Sequence, residues 1–287
     1  VKAALKIVIF ISLFIATERY CHKKTHGFRL WKIHSDLPYN PFMEVKEDVE
    51  QMRPILAQPY HFLDSGGECY AFLSEDGQYV LKFFKHHHMQ LNSWIDPILP
   101  QWELDRRQMR YHRFFKSCKL AYEHFQEETG LIFVHLTKSQ NLKTKLKIFD
   151  PNHIAHLVDL DQLEFTIQKK VTMAKPLLSS LAEAEELEQA KARLDSLLHL
   201  IVSRCKAGIS DHDAQLRNFG FLGTDAVEVD LGSFSPDDSL KSAVGIKRTI
   251  LHETTKMRKW IKNTYPELEM HLDEKIKEFL KGNGETL

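Results

Sequence analysis

Asp213 and Asn218 lie five residues apart in the stretch Ser210-Asp211-His212-Asp213-Ala214-Gln215-Leu216-Arg217-Asn218-Phe219-Gly220. A carboxylate and an amide at that spacing, in a loop bounded by a helix end and a strand, can converge on one point. There the carboxylate can orient a hydroxyl and accept its proton, while the amide oxygen can ligate a divalent cation. Asp230 follows in Val229-Asp230-Leu231-Gly232. An aspartate at a strand end before a glycine is a hard oxygen ligand on a sharp turn. Lys82 stands in the apolar run Val80-Leu81-Lys82-Phe83. A buried ammonium needs partners, because an unpaired buried charge costs roughly several kcal/mol. Phosphate oxygens would serve, as would a carboxylate from the next helix, with Glu103 first and Asp105 in reserve. Finally, Ser65-Gly66-Gly67 joins two strand-like segments. Glycine amides there can approach a phosphate closely. Each stretch alone has a plainer reading: a tight turn for Gly66-Gly67, a lysine on the wet face of a sheet, and aspartates that cap turns. The run His86-His87-His88 could bind a metal, but neighbours on an extended chain point to opposite faces, which favours a solvated loop.

These residues need elements to hold them. Tyr60–Leu63, Cys69–Leu73 and Tyr79–Lys85 read as three antiparallel strands. Asp76-Gly77 between the last two signals a hairpin in which both turn residues take positive φ. A helix is expected over Gln101–Gln126, where Trp102, Met109, Phe114, Cys118, Tyr122 and Phe125 fall near one face. Leu131–Leu136, Leu146–Phe149 and Leu163–Gln168 read as further strands. A second helix is expected over Ser180–Lys206, striped by Leu187, Leu194, Leu197, Leu198 and Ile201 and stopped by Gly208. Phe219–Leu222 and Ala226–Val229 read as a short hairpin, and Leu240–Leu280 as helical. The order gives an α+β fold, sheet-rich in its first half and helical in its second.

Composition narrows the function classes. The 287 residues carry 39 basic and 39 acidic side chains, so no net basic field exists to hold nucleic acid. The four cysteines are widely spaced, with neither metal-ligand spacing nor a disulfide framework. Residues 1–24 set a charged start before an apolar run and read as a targeting or anchor segment. Residues 3–16 would rise roughly 21 Å as a helix, short of the about 30 Å hydrocarbon layer of a bilayer. A membrane association through this segment is expected. The excess of positive charge after it places the body on the cytoplasmic side, with a secreted protein as the alternative. Residues 25–58 read as an extension packed on the main fold.

In this order the motifs resemble the protein-kinase-like superfamily. Gly66 matches the middle glycine of the nucleotide loop. Val80-Leu81-Lys82 resembles the Val-Ala-Ile-Lys strand, Asp213-x-x-x-x-Asn218 the catalytic loop, and Asp230-Leu231-Gly232 the Asp-Phe-Gly metal motif. The resemblance covers about residues 59–235. It departs at Asp64 and Cys69, which stand where the outer glycines would be, and at Asp211-His212, which replaces His-Arg. The 55 residues after Gly232 contain no Ala-Pro-Glu. The pattern is closer to atypical bacterial, small-molecule and lipopolysaccharide kinases than to eukaryotic Ser/Thr kinases. It implies a two-lobed fold: a sheet lobe over 59–170 and a reduced helical lobe over 171–287. It implies an ATP- and Mg2+-dependent phosphotransferase acting on an unidentified hydroxyl acceptor, protein or small molecule. Lys82 with Glu103 would hold the α- and β-phosphates under the Ser65-Gly66-Gly67 loop. Asn218 and Asp230 would hold Mg2+, Asp213 would position the acceptor, and adenine would lie near Gln168 to Val171. The alternative is a pseudokinase, a nucleotide- or partner-binding scaffold without turnover.

Overall fold

The structure is a computed structural model that describes residues 2–45, 49–86, 98–262 and 264–281. The chain divides into two compact units, residues 1–110 with 135–167, and residues 111–134 with 168–287.

The first unit opens with helix α1 (Lys2–Lys24) and α2 (Val49–Leu56), followed by β1 (Tyr60–Ser65), β2 (Cys69–Ser74) and β3 (Tyr79–Phe84). Helix α3 (Gln101–His124) begins in this unit and ends in the other. After the short α4 (Gln126–Thr129) come β4 (Leu131–His135), β5 (Lys145–Phe149), β6 (Ala155–Asp159) and β7 (Phe165–Lys169). The seven strands form one sheet in the order β4-β7-β3-β2-β1-β5-β6. The expected β1–β2–β3 meander is present and antiparallel, whereas β1 pairs with β5 in parallel. Strand alternation decides what each face carries. Tyr70 and Phe72 on β2 pair with Phe83 and Leu81 on β3, and all four are buried. Phe28 from the N-terminal extension packs edge-on against Tyr70 and Phe72, with ring centroids 5.2 and 5.5 Å apart. Ala71 pairs with Lys82 on the opposite face.

The β2–β3 turn differs from expectation. Four residues, Glu75 to Gln78, separate the strands, and only Gly77 has positive φ (+71°). Asp76 instead accepts hydrogen bonds on its carboxylate from Ser74 Oγ (2.6 Å) and the Gln78 amide (3.0 Å). Its side chain thus closes a longer turn, a role open to Asp as well as the positive-φ role.

The second unit contains β8 (Thr172–Met173), α5 (Ala174–Glu183), α6 (Leu187–Ala207), β9 (Ile209–Asp211), β10 (Phe219–Leu222), β11 (Asp225–Glu228), β12 (Phe234–Pro236), α7 (Ala243–Lys262) and α8 (Pro266–Lys281). The one helix expected over Ser180–Lys206 is two. Helix α5 ends in paired reverse bonds, Glu186 N–H to Leu181 O (2.9 Å) and Glu185 N–H to Ala182 O (3.2 Å), with Glu185 at φ +59°. This is a Schellman ending with glutamate where glycine is usual. Gly208, at φ +73°, does end α6. The buried stripe of α6 runs through Ala190, Leu194, Leu197, Leu198, Ile201 and Cys205. Two small sheets, β11-β10-β8 and β12-β9, carry the polar loops.

Among the described residues no helix is long and apolar enough to cross a membrane. Helix α1 instead exposes apolar side chains around its length, including Val8, Phe10, Leu13 and Phe14.

Candidate functional site

In the second unit, the register of one hairpin sets Asn218 opposite Val229, the residue before Asp230. Strand β10 begins at Phe219 and β11 ends at Glu228, and these two residues pair. One step beyond, the Val229 amide donates to Asn218 O (2.7 Å). Asn218 and Asp230 therefore flank the open end of the β10–β11 hairpin. Asn218 is buried, and its Nδ2 donates to the backbone carbonyl of Asp213 at 2.8 Å. With the amide nitrogen so used, Oδ1 is the atom left to serve a cation. Asp230 accepts from the Gly232 amide on Oδ1 (3.1 Å), as an aspartate does when it shapes its own turn. Its second oxygen is free of that constraint. One carboxylate and one amide oxygen, both hard donors, fit Mg2+, which commonly takes one or two protein ligands and fills the rest with water and phosphate.

The Asp213 loop is built from the same unit. Asp211 sits at its head on β9, and its Oδ1 accepts from the Asp213 amide (2.9 Å) and from Ser233 Oγ. The carboxylate of Asp213 accepts from Gln215 Nε2 on one oxygen. Its other oxygen lies 3.4 Å from Asn218 Nδ2 and 3.5 Å from Arg217. The Asp213 side chain is 42% exposed. Asp211 is not the second half of an Asp-x-Asp metal pair, because its side chain is buried and its oxygens are engaged inside the unit. Behind the metal turn, Ser117 of α3 donates to Leu231 O and accepts from the Phe234 amide (2.7 Å).

The first unit holds the other candidates. Gly66 and Gly67 are exposed, and neither has positive φ. A Cβ on Gly67 would meet nothing within 4 Å, and one on Gly66 would meet only Cys69 O at 3.8 Å. The turn is a tight one, closed by the Gly66 amide on Cys69 O (3.0 Å), yet neither crowding nor positive φ requires glycine at these two positions. Lys82 is half-buried on the sheet face with Ala71. Glu103 has its carboxylate on Arg106 (2.8 Å) and Arg107 (3.1 Å). The hydrogen bonds from these two arginines hold it down to about 2. A role beside Lys82 requires Glu103 to exchange those partners. Gln168, expected beside adenine, is buried, with Nε2 donating to Thr129 O at 2.8 Å and Oε1 closed off from solvent. Val171 packs over Gly220, where an added Cβ would lie 2.4 Å from Val171 Cγ2.

Comparison with known proteins yields structure without sequence. No family model matches the chain, and no curated protein does. Solved structures do. The chain is 18% identical to WbdD in co-crystals with the kinase inhibitor LY294002, covering 75% of this chain and 45% of that one at a TM-score of 0.35. Monomeric WbdD matches at 17% identity, with 75% and 45% coverage and a TM-score of 0.37. Rv3197 of Mycobacterium tuberculosis, solved with erythromycin, matches at 12%, with 77% and 56% coverage and a TM-score of 0.38. The chain thus spans about half the length of the structures it matches. Likenesses this loose carry no argument about chemistry, and the assignments rest on the geometry above.

Three features escaped the sequence reading. Lys85 Nζ donates to Ser65 Oγ (2.8 Å) and to Gly66 O, and lies 4.3 Å from the centre of the Tyr70 ring. It leaves the sheet on the face opposite Lys82 and braces the glycine turn from behind. Burial lowers its ammonium below the ordinary lysine value. His86 is buried, not solvated, with Nε2 3.0 Å from Glu164 Oε2, whose partner oxygen accepts from Ser35 Oγ (2.9 Å). His87 and His88 lie outside the described residues. The third is Arg204, a guanidinium on the buried stripe of α6. It lies 2.6 Å from Glu228, contacts Glu253 and sits 3.7 Å from Asp211. Burial alone would lower Arg204, but the carboxylates of Glu228 and Glu253 outweigh it and the group is raised. Glu228 is pushed well up by burial, against the pull of Arg204. A seven-residue step from Leu197 puts a charge on an apolar stripe, and that was the available signal.

Proposed function

We propose that the chain is a kinase-like, ATP- and Mg2+-dependent phosphotransferase acting on a hydroxyl acceptor. The observation that supports this reading is the hairpin register that sets Asn218 opposite Val229, the residue before Asp230, together with the bond that ties Asn218 to the Asp213 loop. Asn218 and Asp230 hold the cation, which when bound neutralises phosphate charge. Asp213 orients the acceptor hydroxyl and takes its proton. In the first unit, the open Gly66-Gly67 turn admits phosphate oxygens to backbone amides, and Lys82 supplies positive charge to them. The engagement of Asp213 by Gln215 and Arg217 favours a second reading, a nucleotide-binding scaffold in which the acceptor carboxylate is held out of use. Calorimetric titration of ATP with and without magnesium tests the binding function. Transfer of labelled phosphate then separates enzyme from scaffold.

A further inference from the structure

We propose that Arg204 is the positioning residue of this site, setting the catalytic loop and the metal turn in one register from beneath. The inference rests on the proposed function and adds a residue to it. Asp211 heads the Asp213 loop, and Glu228 is the last residue of β11, two before Asp230. One NH2 group of Arg204, Nη1, reaches both carboxylates, at 3.7 and 2.6 Å. Nη2 reaches Glu253 on α7. The guanidinium and the Asp211 and Glu228 carboxylates are each about 1% exposed, and Glu253 is 6% exposed.

Stability does not explain such a cluster. A buried ion group is often no better for stability than well-packed apolar residues of the same volume, because desolvation offsets the attraction. What apolar packing lacks is direction. The planar fork of arginine fixes the relative placement of the carboxylates it binds. Here Glu228, hydrogen-bonded to the guanidinium, stands two residues before Asp230, and Asp211, in ion-pair range at 3.7 Å, stands at the head of the Asp213 loop. Other ties join these segments as well: Ser233 Oγ to Asp211, the Val229 amide to Asn218 O, and the short β9–β12 pairing that sets Asp211 against Phe234. Asp211 in turn fixes the Asp213 amide at 2.9 Å. A shift of the guanidinium therefore moves both the head of the acceptor loop and the root of the metal turn.

The test uses the purified full chain and reads magnesium, not turnover. ATP binding is titrated calorimetrically across magnesium concentrations for wild type, Arg204→Lys and Glu228→Gln. Arg258→Lys, in the separate α7–α8 pair with Asp273, is the structural control. Lysine keeps the charge of Arg204 but not the fork. Arg204→Lys is expected to raise the magnesium concentration for half-maximal ATP binding by about tenfold or more, the usual effect of losing a group that orients a metal ligand. ATP binding in EDTA should stay within about twofold of wild type. Arg258→Lys should lower the melting temperature without moving the magnesium midpoint. If Arg204→Lys does not fold, Glu228→Gln decides by the same midpoint. Variants that melt earlier yet keep the wild-type midpoint overturn the positioning role. A wild type without magnesium-dependent ATP binding overturns the proposed function and this role together, so the two failures are distinguishable.

Discussion

Asp213 and Asp230 are both aspartates near one hairpin, yet their surroundings differ, and the proposed function gives them different work. Asp230 sits on the turn that flanks Asn218, with one oxygen shaping the turn and the other available to a cation. Asp213 lies in the preceding loop, half-exposed, and touches Asn218 only through its carbonyl and one longer contact. Asp230→Asn should weaken magnesium–ATP binding, because it removes the charged ligand of the pair. Asp213→Asn should leave binding nearly intact and slow transfer on the order of 10²–10⁴-fold, the usual contribution of a positioned acid or base. Calorimetry and labelled-phosphate transfer at equal occupancy check both. Equal turnover in wild type and Asp213→Asn would remove the catalytic role. These acids could be singled out in the sequence because they lie within twenty residues of one another. Lys85 and Arg204 could not, since what marks them is contact made in the fold: Lys85 meets Ser65 across β2 and β3, and Arg204 on α6 meets Glu228 on β11 and Glu253 on α7, 24 and 49 residues away. Spacing along the chain carries no record of such contacts.

At the scale of elements, periodicity located most strands and helices, and local chemistry placed their ends less well. Gly208 marked the end of α6 because positive φ there favours glycine. The end of α5 went unmarked because Glu185 takes the same conformation without glycine, which the two reverse bonds after the helix make tolerable. Strand β6 went unmarked because Leu157 and Ala155 are exposed and the segment lacks a clean apolar alternation. One glycine was legible only from packing. Gly220 on β10 lies under Val171, and an alanine Cβ would fall 2.4 Å from Val171 Cγ2 and 3.1 Å from the Thr172 carbonyl. Backbone on one side leaves little room to yield. Gly220→Ala should destabilise the chain by about 1–3 kcal/mol, the usual penalty for overpacking a filled site. Denaturant unfolding monitored by circular dichroism is the check. A change below about 0.5 kcal/mol, the range of neutral surface substitutions, would show that Val171 moves aside freely.

At the scale of the molecule, the candidate residues fall in both units, and α1 belongs to the first. Its apolar side chains from Leu5 to Ile15 are 46–71% exposed. An exposed ion pair, Glu18 with Arg29, ties its later turns to the extension. Removing residues 1–24 should therefore leave the circular dichroism spectrum of the rest and its ATP binding unchanged. It should abolish partition onto lipid vesicles, if the exposed apolar surface and its basic flanks serve a lipid surface. A truncated chain that unfolds would place α1 in the core. The proposed phosphotransferase requires that Asn218 and Asp230 form a cation site that serves bound ATP. Calorimetric titration of ATP into the full chain, with millimolar magnesium and then with EDTA, tests it most directly. The account predicts saturable heat with magnesium and a loss of affinity of tenfold or more without it. Heat no greater than dilution at millimolar ATP, or equal affinity in both conditions, would contradict it.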